Sequence, residues 1–153
     1  MQIHFMEMNK YSYNQQFAML KSCYKNSKGR LTADGFVWVC ELKPTPLSDT
    51  YMVKITYKLG EFPRTFVVTQ NPLPLALGAK RLPHTYKSPK QRLCLFYPAY
   101  REWKPSMPIA TTIVHWAIQW LFYYELWKFT GKWYGGGHGN WDVSVDDYYK
   151  KIA

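Results

Sequence analysis

Six prolines fall between Asn71 and Pro105, at Pro72, Pro74, Pro83, Pro89, Pro98 and Pro105, and no helical or strand period survives across that stretch. Proline fixes φ and withholds an amide donor, so neither a helix nor a central strand runs through such a segment. Regular structure must therefore lie on either side, and the two sides carry different periods. Upstream, Phe36, Trp38, Cys40 and Leu42 share one face of an alternating run, and Tyr51, Val53, Ile55 and Tyr57 share another, with Lys54, Thr56 and Lys58 opposite. Alternation of this kind predicts half-buried strands. Pro44 and Pro46 separate the two, Gly60 makes a turn, and Phe62 to Thr69 supplies a third strand rich in β-branched residues. Downstream, Ile109, Ile113, Trp116, Trp120, Tyr124 and Trp127 recur at helical spacing. Ser106 is the expected cap of that helix, Pro108 sits in its first turn and Gly131 is its stop.

A further helix precedes the strands, with Tyr13, Phe17, Leu20 and Tyr24 on one face and an end near Asn26 to Gly29. The order is helix, three-stranded antiparallel meander, Pro-rich loop and long helix, which implies an α+β fold with helices on one face of the sheet. A chain of 153 residues is enough for one ordinary domain with its own core. We expect a single domain over 1–153, with its core at about 11–130 and a Gly-rich loop and C-terminal tail over 131–153.

The formal charge of +10 favours an acidic partner: nucleic acid, an anionic membrane or an acidic protein face. Aromatic residues reach 18%, enough to build the core from large side chains or to line a partner surface. Three cysteines without paired spacing argue against a disulfide framework and for a reducing compartment. The N-terminus lacks a basic segment leading into an apolar run, so no signal peptide is expected. The most apolar stretch, Ile109 to Leu126, is interrupted by Thr111, Thr112, His115, Gln119 and Glu125, and reads as a buried helix instead of a membrane span. The expected location is the cytoplasm. Four histidines and three cysteines show no ligand pair at short spacing, and the glycine run near His138 lacks the ending of a phosphate loop. No metal and no cofactor is expected.

One cysteine stands apart. Between Lys80 and Lys104 lie Lys80, Arg81, Lys87, Lys90, Arg92, Arg101 and Lys104 against a single acid, Glu102, and Cys94 sits among them. Neighbouring cations lower a thiol's pKa from about 8.5 and so raise its reactive thiolate fraction. Placement in an irregular loop favours exposure of Cys94, whereas Cys23 and Cys40 fall on apolar faces and read as small buried hydrophobes. The bland alternative for Cys94 is a cysteine packed between Leu93 and Leu95. His84 reads either as a loop residue bonded to a carbonyl or as a base or orienter for the thiol.

His84 precedes Cys94 by ten residues, Leu95 follows the cysteine, Trp103-Lys104-Pro105 begins nine residues after it, and Ile109 stands six after the tryptophan. These anchors and spacings resemble the His-Pro-Asn, Cys-Leu and Trp-x-Pro landmarks of ubiquitin-conjugating enzymes, and the element order fits from about Tyr11 to Trp127. The segment Leu93 to Pro98, Glu102 to Met107 and the terminal Trp133 to Gly137 resemble in particular the bacterial relatives encoded in anti-phage CBASS operons. The resemblance implies a UBC-like fold and a transferase in which Cys94 carries a protein as a thioester and passes it to an amine. Trp103 and Pro105 would anchor the active-site loop. The implied carried protein is a cGAS/DncV-like nucleotidyltransferase, a cyclic-oligonucleotide synthase (CD-NTase), attached by its own C-terminus. An acceptor protein completes the reaction. A separate activating enzyme is implied, since the chain has no adenylating domain, unless the thioester forms by another route. Neither nucleic acid nor membrane is an implied partner.

The departures are specific. Thr85 and Tyr86 replace the Pro and Asn of the tripeptide, and Pro72 and Pro74 are offset from the family's Pro-Pro pair. The family's Asn supports the oxyanion formed during lysine attack, a type of donor worth about 2.7–4 kcal/mol. Tyr86, His84, loop amides, or His138 and Asn140 could take its place. Two other functions fit the residues: a Cys-His hydrolase using Cys94, His138 and Asn140, and a non-catalytic module whose basic loop and aromatics bind protein or nucleic acid.

Overall fold

The computed structural model describes residues 9–135. Helix α1 (Tyr13–Cys23) opens on a reciprocal cap: the Gln15 amide donates to Ser12 Oγ at 3.1 Å, and the Ser12 amide donates to Gln15 Oε1 at 2.9 Å. Phe17 of the helix and Tyr24 at its C-terminal cap pack against Phe36 and Trp38, with ring centroids 5.5 and 5.6 Å apart.

Four strands follow in antiparallel order: β1 (Lys28–Leu31), β2 (Gly35–Leu42), β3 (Tyr51–Lys58) and β4 (Arg64–Thr69). The meander thus has one strand more than its periodicity predicts. All four residues of β1 are exposed, so no alternation marks it. Its pairing depends on Gly29, where a Cβ would stand 2.6 Å from the Val37 carbonyl oxygen and 2.8 Å from the Phe17 ring. Cross-strand partners Phe36 and Tyr57, Trp38 and Ile55, Cys40 and Val53, and Leu42 and Tyr51 line one buried face, as the alternation implies.

The long helix, α2 (Ile113–Thr130), starts later than expected. Ile109–Thr111 forms a 3₁₀ turn, and Ser106 is not a cap. The cause lies in α1. Gln16 is fully buried, donates from Nε2 to the Met107 carbonyl at 3.0 Å and the Pro105 carbonyl at 3.4 Å, and accepts from the Ile109 amide at 2.8 Å. Those backbone groups are therefore committed to another element before the helix begins. Gly131 ends α2 as expected, in the left-handed region at φ 74°, with its amide on the Trp127 carbonyl at 2.7 Å.

The Pro-rich stretch is pinned at both ends. Tyr124 on α2 donates its hydroxyl to the Pro74 carbonyl at 2.7 Å, while Gln16 on α1 holds Pro105. Trp103, 2% exposed, meets Tyr57 edge-on with centroids 5.7 Å apart. The architecture is that of the UBC-like fold: N-terminal helix, antiparallel meander, Pro-rich loop and long C-terminal helix. Among the described residues no helix is long and apolar enough to cross a membrane.

Candidate active site

The middle of the Pro-rich stretch is more ordered than its composition implies. Val67 donates its amide to the Gln91 carbonyl at 3.0 Å and Leu93 donates to Thr65 at 2.8 Å, so residues 91–93 run along the free edge of β4. The Gln91 side chain reinforces this edge, donating to Val67 at 3.0 Å and Gln70 at 2.6 Å and accepting from the Leu73 amide at 2.6 Å. On the far side, the Tyr86 amide donates to Arg92 at 2.9 Å, the Cys94 amide donates to His84 at 2.8 Å, and Thr85 bridges Leu93. A three-residue ribbon, 84–86 against 92–94, therefore carries the cysteine.

Period two then sorts the side chains. Thr85 and Leu93 are buried at 8% and 3% exposure. Tyr86, Arg92 and Cys94 come together opposite them. The Arg92 guanidinium carbon lies 4.0 Å from the centre of the Tyr86 ring, and the Tyr86 phenol is close enough to Cys94 for the thiol to influence its ionisation. Burial, followed by the charge of Cys94, pushes the Tyr86 phenol up to about 12, with Arg92 acting against the rise. Tyr86 is consequently a proton donor at neutral pH and not a base. Burial is also the main influence on Arg92, pulling its guanidinium down, while Tyr86 and Cys94 hold it up. Arg92 Nε is buried with no hydrogen-bond partner. A buried donor left in that state costs about 1–3 kcal/mol.

Cys94 is 8% exposed, close to Cys40 at 7%, and its thiol faces the Phe96 carbonyl at 3.9 Å. The expectation of an exposed loop cysteine is corrected by the ribbon, which places the thiol under Tyr86. Cys23, expected to be buried, is exposed as the last residue of α1.

His84 adopts φ 51°, and its ring lies on Trp133 with centroids 4.9 Å apart and planes tilted by 30°. Its carbonyl accepts from both the Cys94 amide and Trp120 Nε1, the latter at 3.2 Å. His84 thus joins α2 to the cysteine through its backbone. Trp103 is buried under Tyr57, and Pro105 contributes its carbonyl to the Tyr11 amide at 2.9 Å as well as to Gln16. His138 and Asn140 lie outside the described residues. Among the described residues no cluster of three metal-ligating side chains occurs.

In the sequence Arg92 is one cation of seven and Trp120 one position of an apolar stripe, while neither Gln16 nor Gln91 is marked as functional. The signal for Arg92 was its position two residues before Cys94, which places both on one side of any extended segment. Nothing in the local sequence marked Gln16, since its partners lie about ninety residues away.

No curated protein matches the sequence. A family model described as "Type II CBASS E2 protein" matches residues 16–140, a span that takes in most of α1, the sheet, the ribbon with Cys94 and α2. The chain therefore belongs to the Type II CBASS E2 family, a ubiquitin-conjugating-enzyme-like group of anti-phage defence proteins.

Proposed function

We propose that this protein forms a thioester on Cys94 with the C-terminus of a partner protein and transfers that acyl group to an amine. The observation that carries this reading is the ribbon: it holds one thiol under a protonated phenol, within a chain of an E2 family. In the first step the Cys94 thiol loses its proton to solvent or base, its sulfur attacks an activated C-terminal carbonyl, a C–S bond forms, and the activating group leaves with its bonding electron pair. In the second, an amine attacks the thioester carbon, the C=O electron pair moves onto oxygen, and collapse expels the Cys94 thiolate while the nitrogen loses its proton to solvent or base. Tyr86, held protonated, donates to the sulfur or to the developing oxyanion, the work that Asn performs in ubiquitin-conjugating enzymes. His84 positions Cys94 through its carbonyl. Trp103 and Pro105 anchor the loop from the core side.

The carried protein in this reading is the cGAS/DncV-like nucleotidyltransferase of the same defence system, joined by its C-terminus. The acceptor is a second protein, and activation comes from a separate enzyme. The reading extends to all of 1–153 as one cytoplasmic conjugating domain. To test the chemistry directly, purified protein is mixed with a short peptide bearing a C-terminal thioester, and exchange onto the protein is followed by intact mass. The peptide acyl group should appear on the wild type, be removed by dithiothreitol, and be missing from Cys94→Ala. Equal acylation of Cys94→Ala would overturn the assignment.

A further inference from the structure

Three buried side-chain donors have no hydrogen-bond partner among the described residues: Trp38 Nε1, Trp103 Nε1 and Arg92 Nε. Buried polar groups nearly always find a partner, so each exception calls for a physical reason. The two indoles are enclosed in the core at 0% and 2% exposure, against Tyr24 and Tyr57. Arg92 differs in two respects. It is charged, and although Nε itself is enclosed, the rest of its side chain is partly exposed on the ribbon face that also carries Cys94.

Its position is fixed from three directions. The Arg92 carbonyl accepts from the Tyr86 amide, and the Arg92 amide donates to Lys90 at 2.8 Å. The guanidinium is laid on the Tyr86 ring at 4.0 Å, which limits its freedom to swing. Cys94 follows two residues later on the same extended segment, held to His84, and the two side chains share the ribbon face that Tyr86 covers. A fixed donor without a partner beside a nucleophile is the arrangement that stabilises charge as it develops.

We propose that Arg92 is a catalytic residue of this site: its partnerless Nε–H binds the carbonyl oxygen of an acyl group on Cys94 as that oxygen becomes an oxyanion. The inference rests on the thioester reading of Cys94. When the amine attacks, a C–N bond forms, and the carbonyl π pair moves to oxygen, where the Arg92 Nε–H meets it. When the carbonyl re-forms, the C–S bond breaks, the electron pair leaves on sulfur, and the attacking nitrogen gives its extra proton to solvent. Arg92 keeps its proton throughout. The guanidinium supplies a donor where Thr85 and Tyr86 replace the family's Pro and Asn, and Tyr86 doubles as the platform that aims it.

The test charges Cys94 with a short peptide from its C-terminal thioester and follows discharge to free lysine in a single turnover. Arg92→Gln should slow discharge by about 10²–10³-fold, the loss typical of one oxyanion donor. Arg92→Lys keeps the charge but has no Nε–H at this place, and should also be slow. Alkylation of the uncharged thiol by iodoacetamide reports on Cys94 without any oxyanion and should change far less in both variants. Wild-type discharge rates in both variants would overturn the proposal. So would full activity in Arg92→Lys, which would make charge alone sufficient. A matching loss of alkylation and melting temperature in Arg92→Gln would assign a scaffold role and overturn it as well. A wild-type protein that takes up no acyl group would count against the thioester reading first and against Arg92 with it.

Discussion

Tyr86 stands where the family's tripeptide places Asn, and its environment decides what it can do. With its phenol pushed up to about 12 by burial and the neighbouring thiol, it stays neutral from pH 6 to 9 and acts only as a donor. Tyr86→Phe keeps the ring on which Arg92 lies and removes the hydroxyl. We expect lysine discharge from Cys94 to fall about tenfold or more, with the pH–rate profiles of wild type and variant parallel up to about pH 10. An inflection near neutrality that disappears in Tyr86→Phe would show the phenol acting as a base and contradict this account. The same residue shows what sequence can convey. Its departure from Asn was visible, but its contacts with Arg92 and Cys94 arise from a ribbon of three residues a side, too short for alternation to register.

At the level of elements, strands β2, β3 and β4 and the end of α2 were readable because alternation, Gly60 and Gly131 each leave a local mark. Strand β1 was not, because its four exposed residues leave no alternation, and the start of α2 was not, because partners distant in sequence determine it. Gln16 is the clearest case, since one buried amide satisfies groups of Pro105, Met107 and Ile109. Gln16→Ala should destabilise the protein by about 2–4 kcal/mol, because buried backbone groups lose their partners. Urea denaturation at unchanged m-value checks this. A loss near zero would mean the segment from Pro105 to Ile109 is held by other contacts. Trp120→Phe separates packing from hydrogen bonding, since the indole stacks on Tyr124 at 5.5 Å while its N–H reaches His84. We expect a stability loss of about 1 kcal/mol from the missing bond. Discharge should slow more than this loss alone implies, because the His84 carbonyl also holds Cys94.

Across the whole molecule, the core is built from large aromatic residues, and several phenols within and beside it resist ionisation. Burial raises Tyr86 and Tyr124 to about 12, the latter helped by Glu125. Tyr51 rises further, through burial and its hydroxyl bond to Glu125 at 2.9 Å. The unfolded chain releases these protons near pH 10, before the folded one does. Their contribution to stability is therefore intact below pH 10 and lost as pH climbs through about 12. Phenolate absorbance should keep rising together with the loss of far-ultraviolet dichroism in that window. Ionisation of all thirteen tyrosines with the dichroism intact would contradict it.

The central claim is that Cys94 carries a protein as a thioester, and the most direct measurement is mass mapping of the adduct formed in cells expressing the complete defence system. The account predicts a bond from Cys94 sulfur to the C-terminal carbonyl of the nucleotidyltransferase, cleaved by reductant. It further predicts an oxygen ester, resistant to reductant, in Cys94→Ser, and no adduct in Cys94→Ala. An adduct of unchanged mass and abundance in Cys94→Ala would contradict the account.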